Sequence, residues 1–460
     1  MAATMSPRAA FIALRNKKYR LAVATMKVLV LSSSYPYPVD IGRKVIISGF
    51  LEYLVSVFGS ENVTFVYIAS AADAAPDALL PCRTFALSLD GIWQRLLGVA
   101  WQSIICKRHA LQEMMLYSRR AVTQLRQLMR ATSPDLVIVD TVRMAQYLEA
   151  STPKPPRSIL YLDDLYSLRY RRMLLAMHAH PETDLAPIGT FGRFLPAFMR
   201  RLIRGRTVQR RLLSLESQLL EKREEELPDR FDSVLLLNAE ETAQLMAVSS
   251  ANNILTVKPL LRAHHNRLPR RFTGEPTYLF LGNLGYPANA SSLSLFLSQA
   301  MPNLVDAEPR TKLIVVGRGA DARLKEQSGR WNGRVQLLDF VEDLAPLMAT
   351  AAAMVVPLIY GSGLKMKVLD GLYYGVPIVS TPSGIDGVPA IHGRECFIAD
   401  DIPAFVEPLL HLCDVDLNNH VSARAQQLYA SEFAPDVVWS QYSEIFGSRQ
   451  ARTLVAHSGR

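Results

Sequence analysis

The stretch from Met354 to Thr381 constrains the chain most. It reads MVVPLIYGSGLKMKVLDGLYYGVPIVST. The apolar run Met354 to Ile359 predicts a buried parallel strand, since strands covered on both faces read as near-continuous hydrophobic runs. Gly361-Ser362-Gly363 closes it, and an amphipathic helix is predicted from Leu364 to Tyr374. Gly375 stops that helix, and a second buried strand follows. Strand, glycine turn and helix start together make an anion site: glycines admit a close backbone approach, and the first helical N–H groups have no partner within the helix. Lys365 and Lys367 oppose the helix dipole at that end, which a bound anion would explain. Asp370 follows within two turns, where a carboxylate can accept hydrogen bonds from sugar hydroxyls. The competing reading is an ordinary strand–turn–helix unit with surface lysines, because Gly-Ser-Gly alone is weak evidence.

The neighbouring segments repeat the pattern. Tyr278-Leu-Phe-Leu-Gly282-Asn283 is a strand running into a glycine loop, as is Leu313-Ile-Val-Val-Gly317-Arg-Gly319. Val335-Gln-Leu-Leu-Asp-Phe is a third strand, with Asp343 placed to cap the next helix. In that order these motifs resemble the C-terminal half of family-4-type glycosyltransferases of the GT-B architecture. The resemblance is strong from Tyr278 to Asp400 and diffuse from Lys27 onward.

It implies an α/β chain of two Rossmann-like, doubly wound domains facing across a cleft. The expected divisions are a basic extension (1–25), an N-terminal acceptor-binding domain (26–258) and a linker (259–275). A C-terminal nucleotide-sugar-binding domain (276–430) and a crossing helix with tail (431–460) complete the chain. At 460 residues, the length suits two cores better than one. A net charge of +9 favours anionic partners. Cys82, Cys106, Cys396 and Cys413 are scattered without metal-ligand spacing, pointing to a reducing compartment and no structural zinc. The longest apolar run, Leu344 to Tyr360, is interrupted by prolines and too short to span a membrane.

In the first half, Val28 to Ser32 predicts a strand feeding a glycine-bearing loop and a helix from about Val45 to Phe58. Gly42 lets the backbone come close there, and Arg43 or Lys44 faces phosphate, acceptor or solvent. Further strands are predicted at Val63 to Ser70, Phe85 to Leu89, Pro134 to Asp140, Ser158 to Asp163 and Phe231 to Asn238. Asp140, Asp163 and Asp164 stand at carboxyl ends of strands, where doubly wound sheets bind ligands. For Asp163 and Asp164, capping of a helix from Leu165 is the alternative.

Gly91 to Arg130 reads as one long basic helical stretch whose apolar stripe carries Trp93 and Trp101. Those tryptophans are expected in the core, with an acceptor groove as the alternative. Around residues 190–213, arginines including Arg200, Arg201 and Arg204 interleave with apolar residues, the composition of a segment lying on an anionic membrane or meeting an acidic acceptor, with a surface helix packing its apolar stripe on the domain as the alternative. His264 and His265 lie in the linker with no partner at metal spacing.

The resemblance implies transfer of a sugar from a nucleotide-diphosphate sugar to a glycan or lipid-linked acceptor. It further implies surface polysaccharide synthesis on the cytoplasmic side of the plasma membrane and a retaining course. The donor contacts expected are Gly42, Gly282, Asn283, Gly361, Ser362, Gly363, Leu364, Lys365, Lys367 and Asp370. Asp163, Asp164 and Lys365 are the candidates for catalysis. The chain departs from the family twice: Ser362 stands where the family has a glutamate, and Asp370 is the shorter carboxylate. No cofactor, no metal and no nucleic acid are expected, because a helix start and lysines can neutralise a diphosphate. A nucleotide-sugar epimerase and a catalytically silent nucleotide-sugar binder remain alternatives.

Overall fold

A computed structural model describes residues 26–37, 42–69, 80–150, 154–180, 205–261 and 267–447. The N-terminal extension 1–25, His264, His265, and the arginines Arg200, Arg201 and Arg204 lie outside the described residues.

Continuous apolar runs become two parallel sheets. The first lobe holds β1 (Val28–Ser32), β2 (Val63–Ile68), β3 (Arg83–Leu87), β4 (Leu136–Asp140), β5 (Arg157–Asp163), β6 (Ser233–Leu236) and β7 (Ile254–Thr256), in the order β3-β2-β1-β4-β5-β6-β7. The second holds β8 (Thr277–Leu281), β9 (Lys312–Val316), β10 (Val335–Leu338), β11 (Ala353–Val356), β12 (Ile378–Ser380) and β13 (Phe397–Ile398), in the order β10-β9-β8-β11-β12-β13. In each lobe the order reverses beside the first strand, at β1/β4 and at β8/β11. The crevice beyond those carboxyl ends is where such sheets bind ligands.

The helices that position the site are α1 (Gly42–Phe58), α2 (Ile92–Gly98), α3 (Leu111–Leu116), α4 (Arg119–Thr132), α5 (Tyr166–Ala179), α6 (Arg206–Glu226), α7 (Ala239–Ser249), α8 (Met366–Tyr374), α9 (Val415–Glu432) and α10 (Pro435–Phe446). One apolar cluster joins the lobes, running from Val30 and Phe50 through Val356 and Val368 to Tyr442 and Phe446. The expected crossing helix is α10. Its Tyr442 ring packs edge-on against Phe50 at 5.2 Å and Tyr53 at 5.4 Å, and its hydroxyl accepts from the Leu260 N–H at 3.0 Å.

Two expectations fail here. Gly91 to Arg130 is not one helix: α2 passes into a π-helical turn (Val99–Ile105), and α3 and α4 follow as separate short helices. Trp93 and Trp101 are not core either, being 65% and 57% exposed. The inner side of their segment carries the half-buried Ile92, Leu96 and Val99 together with small and polar residues. A side chain at Gly98 would press on Met114, and Ser103 is fully buried with its hydroxyl donating to the Ala110 carbonyl at 3.3 Å.

Candidate active site in the interlobe cleft

The glycine turn emerges from β11 directly against the first lobe. Gly363 has φ +66°, the left-handed region that favours glycine, and a Cβ there would sit 2.9 Å from the Asp164 Cβ. Gly42 opens α1 from the other lobe, and a Cβ on it would lie 3.0 Å from Met366 Cγ. The N-termini of α1 and α8 therefore meet across the cleft. Lys365 occupies the N-cap of α8 and provides no side-chain hydrogen bond to its first N–H groups. Two helix starts in one gap make it electropositive before any side chain is counted.

The first lobe answers with a charged network. The Ser362 hydroxyl donates to Asp164, whose Oδ2 also accepts from Arg169 Nε at 2.9 Å. The Gly363 N–H donates to Glu241 Oε1 at 2.8 Å, and the other oxygen of that carboxylate accepts from the Leu165 N–H at 2.8 Å. Arg172 donates to the Gly361 carbonyl at 2.8 Å and pairs with Asp386, which also accepts from Asn238 Nδ2 at 2.7 Å. The reading from sequence spreads anion contacts over the amides of 361 to 364. The structure gives the Gly363 amide to Glu241, while the first N–H groups of α8 have no side-chain cap.

Asp163 and Asp164 do not cap α5. Glu241 takes the Leu165 N–H, and Glu224 takes the N–H and hydroxyl of Ser167. Asp163 has φ +73° and Thr141 has φ +71°, both at carboxyl ends of strands facing the cleft. Such backbone costs roughly 1–3 kcal/mol per residue and is held only where its surroundings impose it. Burial, with Asp164 beside it, lifts the Asp163 carboxyl to about 6, against the pull of Arg169 and the Tyr161 hydroxyl. Burial and the Asp164 charge lift Glu241 to about 7. Asp140 is fully buried, accepts from Ser32 Oγ at 2.5 Å and lies 4.0 Å from the Arg43 guanidinium.

The lysines divide the work. Lys365 Nζ donates to the carbonyls of Ser362 and Gly363 at 3.1 and 2.5 Å, bracing the turn. Lys367 Nζ donates to Asn289 Oδ1 at 2.8 Å and lies 4.9 Å from the centre of the Phe280 ring. Asn289 in turn donates to the Asn283 carbonyl at 2.9 Å, and a Cβ on Gly282 would strike it. The loop after β8 is thus tied to α8. Both residues are half-buried, but their ammonium groups are enclosed. Burial, partly offset by Asp386, Glu241 and Asp164, lowers Lys365 to about 8; burial, with Lys365 adding to it, lowers Lys367 to about 7. Asp370 stands apart from the turn. It acts with Asp343 on the Tyr374 phenol, which burial first and then these charges push up to about 12.

Of the residues expected from sequence, Gly42, Asp164, Gly361, Ser362, Gly363, Leu364 and Lys365 line the interlobe contact, and Asp163 lies behind them against Tyr161 of the first lobe. Gly282, Asn283 and Lys367 form its flank in the second lobe. Glu241, Arg169, Arg172 and Asp386 were not picked. Glu241 and Asn238 carried one signal, polar residues at the end of a buried strand. Nothing local marks Arg169 and Arg172, which face the other lobe from the first two turns of α5. Among the described residues no cluster of His, Cys, Asp and Glu is arranged to hold a metal ion.

Two parallel doubly wound lobes with the site between them define the GT-B fold, and solved structures of that class superimpose along nearly the whole chain. Sucrose-phosphate synthase from Thermosynechococcus elongatus matches with a TM-score of 0.65 and 14% identity, covering 94% of this chain and all of that one. Anabaena HepE in complex with UDP matches at 0.57 and 14%, covering 92% and 99%. TarM matches at 0.61 and 9%, covering 92% and 99%. Within that class, residues 275–414 match the family described as glycosyl transferases group 1. A 139-residue stretch is 28% identical to an uncharacterized 44.6 kDa protein in the cps region of Klebsiella pneumoniae, over 29% of this chain and 36% of the relative. A 107-residue stretch is 29% identical to phosphatidyl-myo-inositol mannosyltransferase of Mycolicibacterium smegmatis, over 23% of this chain and 27% of the relative. The matched stretches span about a third or less of these curated relatives.

Proposed function

We propose that this protein transfers a sugar from a nucleotide-diphosphate sugar to a glycan or lipid-linked acceptor in surface polysaccharide or glycolipid synthesis. One observation carries the reading: the start of α8 lacks a side-chain cap, lies in the interlobe cleft, and has two enclosed lysines at it. Glycosyl transfer leaves a diphosphate whose charge grows as the glycosidic bond breaks, and donors fixed at that position favour the transition state. Lys367 and the helix start are assigned to the diphosphate, and Lys365 holds the turn that shapes their approach. Asp370, with Asp343 nearby, is assigned to the nucleoside end.

Asp163 and Asp164 are assigned to the acceptor side. Asp163, with its raised pKa, is the group suited to exchanging a proton near neutral pH. Residue 362 carries no acid, yet Asp164 and Glu241 bring carboxylates from the opposite lobe into contact with Ser362 and Gly363. That favours an enzyme over a silent binder. A retaining course, independence from divalent ions and work on the inner face of the membrane belong to the same proposal. The named relatives, a cps-region protein and phosphatidyl-myo-inositol mannosyltransferases, support the acceptor class.

A thermal-shift screen with UDP-, GDP- and ADP-sugars in EDTA tests it. One donor class is expected to raise Tm, and nucleotide release is expected only once an acceptor extract is added. Release without acceptor, with the sugar epimerised, would move the reading to an epimerase.

A further inference from the structure

The segment formed by α2 and the π-helical turn after it turns its largest apolar residues outward: α2 has no fully buried residue and the turn has one, Ser103. Trp93, Leu97, Trp101, Ile104 and Ile105 recur at helical spacing and are between 52% and 71% exposed. The opposite side holds the half-buried Ile92, Leu96 and Val99 beside Gly98, the buried Ser103 and Arg95, which donates to the Met115 carbonyl at 2.9 Å. A surface helix of a globular protein normally buries the larger part of its apolar residues. Two tryptophans and three aliphatic residues expose on the order of 500 Å² of contiguous apolar surface, a size that marks an interaction site.

Apart from Asp90 at its near end, the exposed charge around this stripe is positive. No Asp or Glu occurs from Gly91 to Gln112. Lys107 and Arg108 are exposed at the far end of the stripe. Arg119 and Arg120, also exposed, open α4 beside its near end: the Arg119 N–H donates to Asp90 Oδ2 at 2.8 Å, and the Asp90 N–H donates to Ser118 Oγ at 3.1 Å. Two arginines at a helix N-terminus work against the dipole, so their presence is better explained by an external anion. The segment leaves the carboxyl end of β3. In a parallel sheet all carboxyl ends share one edge, which here is the edge of the cleft.

We propose that this face is where the protein lies on an anionic lipid bilayer, with Trp93 and Trp101 at headgroup depth and the four basic residues on lipid phosphates. Amphipathic tryptophans bracketed by lysine and arginine suit the interface between water and acyl chains. A second copy of the chain fits less well, because a self-complementary contact would bring the like-charged rims together. No described helix is long and apolar enough to cross a membrane, so the contact is of the kind that lies on the surface. The inference rests on the proposed function only in turning the cleft towards a membrane-borne acceptor.

The test is flotation of the full chain with phosphatidylethanolamine vesicles containing phosphatidylglycerol, and with phosphatidylcholine vesicles. Brominated acyl chains serve as a fluorescence quencher in a Trp331→Phe/Trp439→Phe background. Binding to the anionic vesicles with quenching is expected. Trp93→Ser/Leu97→Ser/Trp101→Ser should lower it by roughly tenfold or more, and Lys107→Glu/Arg108→Glu should lower it with the tryptophans in place. Trp93, Leu97, Trp101, Lys107 and Arg108 are exposed, so melting should hold relative to the double-phenylalanine background; Tm and the shift given by a nucleoside diphosphate are measured on the same samples and report on donor binding independently. The proposal is overturned if the wild type ignores anionic vesicles. It is equally overturned if the triple variant binds as the wild type does, or if sedimentation shows that the triple variant has only turned a dimer into a monomer.

Discussion

At the scale of single residues, the account rests on groups whose charge is uncomfortable where it sits. Lys367 and Lys365 are pulled down to about 7 and 8 by burial. A diphosphate arriving beside them would restore their ordinary affinity for protons. Nucleoside diphosphate binding at pH 8 is therefore expected to take up protons, seen as a binding enthalpy that depends on the ionisation enthalpy of the buffer. Lys367→Met should reduce that dependence, and an enthalpy identical in all buffers would count against both assignments. Glu241 makes a second prediction. Its carboxylate satisfies the amides of Gly363 and Leu165 from one buried position. Glu241→Ala leaves two buried N–H groups without that acceptor and should cost about 2–4 kcal/mol in urea unfolding, with Glu241→Gln costing less.

At the level of elements, two helix starts in the first lobe, those of α5 and α3, draw on distant glutamates, whereas α4 and α7 have local caps in Ser118 and Asn238. Glu224 serves α5 at Ser167, and Glu216 serves α3 through the N–H groups of Leu111 and Gln112 at 2.6 and 3.1 Å. Burial lifts Glu224 to about 8 and Glu216 to about 7, despite those hydrogen bonds. A carboxyl raised on folding binds more protons in the folded state than in the unfolded one. Its contribution is complete below the unfolded pKa and is lost as pH rises to the folded value. Stability should thus fall from about pH 5 to pH 8 through these groups, and Glu224→Gln should narrow the Tm difference between those two pH values. The glycine turn makes its own prediction. Gly363→Ala demands φ +66° of an L-residue and presses on Asp164, so it should cost about 1–2 kcal/mol or more and weaken donor binding as the turn shifts.

The elements also show how far the sequence could be read. Val28–Ser32 was predicted to the residue because a strand buried on both faces has no polar alternation to blur its ends. β7, three residues long, escaped because it is too short for any period to register. The segment after Gly91 was misjudged for a physical reason. Periodicity reports that a helix has an apolar stripe, not which way the stripe faces. The glycine turn and its lysines were legible because they lie together in the chain. Arg169, Arg172 and Glu241 were not, because each reaches Gly361–Gly363 from the other lobe, more than 100 residues away.

At the scale of the whole molecule, the cleft exists because two lobes are held at a fixed approach. The apolar cluster running through α10 does part of this, and Arg157 adds a hydrogen bond from β5 to the Gly447 carbonyl at 2.9 Å. A chain ending at residue 434 would expose Phe50 and Tyr53 on α1. It is expected to melt at a markedly lower temperature or to aggregate, as measured by calorimetry. The charged contacts across the cleft are of another kind. They place four first-lobe side chains, Asp164, Arg169, Arg172 and Glu241, on one glycine turn, so anything bound at α8 is sensed by both lobes at once.

The central claim is that a diphosphate is held at the start of α8. It is tested most directly by titrating calorimetrically, in EDTA, whichever nucleoside diphosphate stabilises the protein, alongside its parent nucleoside. The diphosphate is expected to bind at least about tenfold more tightly, or by about 1.4 kcal/mol, and Lys367→Met to remove most of this advantage while leaving the nucleoside unaffected. Equal binding of the two, or an advantage untouched by the substitution, would contradict it.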